Sequence, residues 1–137
     1  MPRSKFLKAS VLGLSLLAAA CQSKAPPSPA APSGKSASLR AMEQVAIAAH
    51  KCWFASKDPA FKPYRMANEL NSFSGNPRFL LVPVKNYGGL PLLVVQASGN
   101  SSRVDVFGPL LDQALGGRIK ADLTRWQSGD TSCGSAA

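Results

Sequence analysis

The sequence predicts an α+β domain: a small four-stranded antiparallel sheet flanked by an N-terminal and a C-terminal helix, in the order α-β-β-β-β-α. Two observations carry this. Within residues 39–137, apolar residues recur at helical spacing only near the two ends, and between them lie four short apolar runs separated by turn-rich segments. The connections between successive runs are too short to hold crossover helices, so neighbouring strands should pair antiparallel.

The first helix is LRAMEQVAIAAHKCWFAS, residues 39–56. At 100° per residue, Leu39, Met42, Val45, Ala46, Ala49, Cys52 and Trp53 share one face, while Arg40, Glu43, Gln44 and Lys51 fall opposite or at its margin. Ser38 is the expected N-cap, and Lys57-Asp58-Pro59 should end the helix.

The strands follow in turn. PYRMANEL (63–70) sets Tyr64, Met66 and Leu70 against Arg65 and Glu69, the alternation of a half-buried strand. RFLLVPV (78–84) is apolar on both faces, LPLLVVQA (90–97) comes after the turn KNYGG, and RVDVF (103–107) points Val104 and Val106 the same way. Pro83 and Pro91 lack amide donors, which confines each to an edge, an end or a bulge. The closing helix, residues 108–129, aligns Leu111, Leu115, Ile119, Leu123 and Trp126 on one stripe. Gly116 and Gly117 each cost about 1 kcal/mol relative to Ala in a helix interior, enough to divide it into two pieces.

Ahead of this domain, MPRSKFLK carries Arg3, Lys5 and Lys8 with no acid, and ASVLGLSLLAAA carries no charge. That is the make-up of a secretory signal peptide, residues 1–20. Its apolar stretch would cover roughly 18 Å as a helix, short of the about 30 Å of a hydrocarbon core. Residues 22–38, QSKAPPSPAAPSGKSAS, are rich in Pro, Ala and Ser. They suit a tether reaching up to roughly 50 Å at the rise of an extended polyproline chain.

Ala18, Ala19, Ala20 and Cys21, with Leu16 and Leu17 upstream, resemble the lipobox of bacterial lipoproteins, with Ala18 standing where Leu is usual. The resemblance implies that Cys21 becomes the lipidated first residue of the mature chain. It also implies, from Gln22 in place of an inner-membrane-retaining Asp, sorting to the outer membrane with the domain facing the periplasm. Ala18-x-Ala20 would equally serve the ordinary signal peptidase, which leaves a free periplasmic or secreted protein. With Cys21 assigned to processing, Cys52 and Cys133 remain, and in an oxidising compartment they are expected to form one disulfide. The loop so closed removes roughly 4 to 5 kcal/mol of unfolded-state entropy.

The chain carries +9 in all. Residues 39–137 hold 11 Lys and Arg against 7 Asp and Glu, a modest and dispersed +4. An exported protein of that charge meets anionic headgroups, cell-wall polymers and acidic proteins rather than nucleic acid. His50 is the lone histidine, no spacing of Cys and His suggests zinc, and GxSxG, GxGxxG and GxxxxGK[ST] are missing from the sequence, so neither metal nor cofactor is expected. Glu69 and Asp105 are the carboxylates that folding would have to bring together for hydrolysis of a glycosidic polymer.

The segment KCWFASKDPAFKPYR (51–65) interleaves basic and aromatic residues, and Phe54, Lys57, Phe61 and Lys62 are the candidates for a surface contact. Phe54 and Phe61 have no periodic reason to be buried. The expectation is therefore a non-enzymatic binding or structural module on a lipid anchor at Cys21. Its partners would be the membrane and an envelope protein or anionic envelope polymer. A soluble secreted inhibitor or effector, and an enzyme acting on envelope polymers, are the rivals.

Overall fold

The computed structural model describes residues 34–134. The signal segment 1–20, Cys21 and most of the tether lie outside the described residues. Within them the order is helix, four strands, helix, and the sheet runs β1-β2-β3-β4 with every pair antiparallel. The four strands are β1 (Tyr64–Glu69), β2 (Arg78–Pro83), β3 (Leu93–Ala97) and β4 (Val104–Phe107). The α-β-β-β-β-α meander expected from the sequence is the fold observed.

The first helix, α1 (Ala37–Ala49), begins earlier than its apolar face suggests. Ser36, not Ser38, is the N-cap: its side chain accepts from the backbone N–H of Leu39. Ser38 is buried instead, donating its hydroxyl to the carbonyl of Gly99 at 2.6 Å and so tying α1 to the β3–β4 turn. Beyond Ala49 the chain widens into a π-helical turn, His50–Ala55, that keeps Cys52 and Trp53 inward. Lys57 ends it in the left-handed region at φ 59°, its N–H bonded to the carbonyl of Phe54.

The closing segment divides as its glycines suggest, into a 3-10 turn Pro109–Asp112 and α2 (Gly116–Gln127). Gly108, at φ 133°, turns the chain out of β4 against β3; a Cβ there would lie 2.5 Å from the carbonyl oxygen of Leu92. Pro83 is the last residue of β2 and Pro91 precedes β3, so neither interrupts a ladder.

Both helices cover one face of the sheet. Met42, Val45 and Trp53 from the first, and Ile119, Leu123 and Trp126 from the second, share one core with Phe79, Leu81, Leu93 and Val95. Trp53 is its centre, stacked on Phe61 at 4.6 Å and tilted against Trp126 at 5.0 Å. Cys52 and Cys133 are bonded across 81 residues, fastening the chain after α2 to the end of the first helix. Aromatic pairs of this kind add about 0.5–1.5 kcal/mol each beyond their buried area.

Candidate functional site

The basic and aromatic segment around residues 51–65 is shaped by three local rules. The π-helical turn brings Trp53 inward and leaves Phe54 half-buried beside it. Asp58 then caps a 3-10 turn, Pro59–Phe61, accepting from the N–H of Ala60, with Pro59 at its first position, where no amide is needed. That turn aims Phe61 back at Trp53. Phe61 is consequently 1% exposed and is a core residue, a correction to its assignment as a surface contact. Its neighbour Phe54 meets it edge-on at 6.0 Å and keeps part of its ring in solvent.

Lys57 and Lys62 are exposed, as a contact surface requires. They border two adjoining hollows. One, about 460 Å³, lies between Phe54, Lys57, Asp58, Lys62 and Tyr64, with Phe61 beneath. The other, about 580 Å³, is lined by Pro59, Lys62, Pro63, Pro83, Val84 and Lys85. It exists because β1 and β2 pair Tyr64 with Pro83, and the N–H of Val84 donates to the carbonyl of Pro63 at 2.9 Å. The prolines and Val84 form an apolar trough edged by two lysines. Pro63, Pro83, Val84 and Lys85 escape the sequence reading because their register with residues 59–62 is a property of strand pairing.

The carboxylate nearest these lysines is already engaged. Arg118 donates to Oδ2 of Asp58 at 2.5 Å, and this bond holds the Asp58 carboxyl below the usual range, with the Ala60 N–H adding to it and burial opposing. Ion pairs occupy other acids too: Glu69 with Arg78, Asp105 with Arg103, and Asp122 with Arg125. Glu69 and Asp105 lie in one cross-strand row, Glu69–Arg78–Gln96–Asp105, at opposite edges of the sheet. At the usual strand spacing they are roughly 14 Å apart, too far to act on one glycosidic bond.

His50 is exposed and borders a separate hollow with Glu43, Ile47, Asn68 and Leu70. Among the described residues no group of three His, Cys, Asp or Glu is placed to hold a metal ion, and no helix is long and apolar enough to cross a membrane. The arrangement offers apolar relief edged by Lys57, Lys62 and Lys85, with Asp58 paired to Arg118. Comparison of the chain with protein families, with curated proteins and with solved structures finds no match in any of the three.

Proposed function

We propose that the protein is a bacterial cell-envelope lipoprotein, a non-enzymatic binding module held by lipid on Cys21 at the periplasmic face of the outer membrane. One structural observation carries the reading: the Cys52–Cys133 disulfide consumes two of the three cysteines. Cys21, inside its lipobox-like segment, is thereby left over for acylation. The engaged carboxylates favour binding over hydrolysis.

The test is metabolic labelling with a radioactive fatty acid, followed by fractionation. The chain should be labelled and found with the membranes, and Cys21→Ser should abolish the label and release the domain to the soluble periplasm. An unlabelled wild type recovered from the culture supernatant, with its mature end at Cys21, would instead favour the secreted inhibitor or effector that Ala18-x-Ala20 allows.

A further inference from the structure

The Pro/Lys trough lies at one end of the domain and the tether enters at the other. Ser38 and Ala37 bond to Gly99 and Asn100 in the β3–β4 turn, which marks the entry end. Pro63, Pro83 and the β2–β3 loop, residues 84–92, mark the far end. That far end concentrates exposed apolar side chains. Val84, Tyr87, Leu90 and Phe107 are four of the six large hydrophobic residues exposed among the described residues, and Leu90 is 88% exposed. Phe107 belongs with them because it pairs with Val94 at the start of β3.

Cations border this tip on its β1–β2 side. Lys57, Lys62, Arg65 and Lys85 are all exposed, and Arg65 stands over the Tyr87 ring at 4.5 Å. Of the acids there among the described residues, Asp58 is bonded to Arg118, and Asp112 ends the 3-10 turn that follows β4. Exposed apolar side chains bordered by cations on the β1–β2 side are complementary to a lipid surface bearing negative charge: the apolar groups enter the headgroup boundary and the cations meet phosphates.

We propose that this far end is a second, reversible membrane contact that docks on anionic phospholipid. The inference draws on the anchored reading for its geometry. From residue 37 to residue 55 the helical segment covers roughly 25 Å, whereas the fifteen steps from Cys21 to Ser36 span roughly 45 Å as an extended polyproline chain. The far end can thus reach the same bilayer that holds the anchor.

The experiment uses the mature chain from residue 21 carrying Cys21→Ser, so that neither signal segment nor acyl group contributes, with sucrose-loaded vesicles of phosphatidylcholine alone or with phosphatidylglycerol. The protein should sediment with the anionic vesicles, lose binding as salt rises, and stay in solution with phosphatidylcholine. Near a charged bilayer each cation contributes about fivefold to partitioning, so Lys62→Glu/Lys85→Glu should bind at least about twentyfold less. Val84→Ser/Leu90→Ser should bind severalfold less. Arg40→Glu/Lys120→Glu, an equal change of charge away from the tip, should bind nearly as wild type, and near-UV circular dichroism should match for all variants. No sedimentation with anionic vesicles, or equal losses in the two charge-reversal pairs, overturns the proposal. Absence of fatty-acid labelling would sink the anchored reading and leave this result standing.

Discussion

The indole N–H of Trp53 donates to Oδ2 of Asp122 across 2.8 Å, joining the end of the first helical segment to the middle of α2 inside the core. Asp122 is 3% exposed, and its other oxygen accepts from Arg125 at 2.6 Å, while Arg118 lies 3.7 Å from Oδ2. Arg118 continues to Asp58, so one carboxylate links a tryptophan, two arginines and a turn cap. A buried carboxylate is tolerable only with such partners.

Asp122→Ala should cost about 2–4 kcal/mol, because it leaves the buried indole N–H without an acceptor and takes the carboxylate from Arg125, while Arg118 keeps Asp58. Trp53→Phe should cost about 2–4 kcal/mol, combining the lost donor with a cavity in the aromatic core. The double variant should lose less than the sum, because both changes break the same bond. Urea denaturation of the four proteins checks the cycle; strictly additive losses would dissolve the link.

These residues also mark where sequence legibility stops. Trp53, Leu123 and Trp126 share a helical period with other apolar residues, so pattern alone placed them in the core. Phe61 follows no period because it sits in a three-residue 3-10 turn; the signal for that turn was Asp58-Pro59, a capping residue ahead of a proline, which marks a start as well as a stop. The four strands and their order were legible because the connections are short. The trough was not, since it is assembled from segments about 20 residues apart whose adjacency is fixed by the pairing of Tyr64 with Pro83. The π-helical turn leaves no pattern distinct from an α-helix over six residues.

Cys52→Ser/Cys133→Ser should lower stability by about 4 kcal/mol, from the loop entropy of an 81-residue separation. For a domain of this size that is a large fraction of about 5–15 kcal/mol in total. Thermal melting of the oxidised and reduced wild type should shift in the same direction and by a similar amount.

Adjacent glycines in α2 should respond oppositely to alanine. At Gly116 a Cβ would stand 1.9 Å from the backbone carbonyl oxygen of Leu111, which cannot be accommodated without moving the 3-10 turn. Gly116→Ala should therefore destabilise by about 1–3 kcal/mol. At Gly117 a Cβ would meet nothing within 4 Å, and the position is exposed. Gly117→Ala should stabilise by about 0.5–1 kcal/mol through helix propensity. Chemical denaturation midpoints moving apart in opposite directions are the expected result.

Asp58 makes the acid limb of stability testable at one residue. Its carboxyl is held below the ordinary range, chiefly by the hydrogen bond from Arg118. A folded-state value below the unfolded one means that the unfolded chain binds the proton more readily. The stabilisation is then fully present above the unfolded value near 3.8 and disappears as pH falls through the lower folded value. Asp58→Asn keeps a side-chain acceptor for the Ala60 N–H, since Asn caps as well as Asp, and removes only the charge facing Arg118. The stability difference between wild type and Asp58→Asn should stay constant from about pH 7 to about pH 5 and shrink steadily below about pH 4. The carboxyl of Asp130, lowered by the Ser132 hydroxyl and backbone N–H, is common to both proteins and cancels in the comparison. A difference that grows on acidification would reverse the sign and exclude the Arg118 bond as its source.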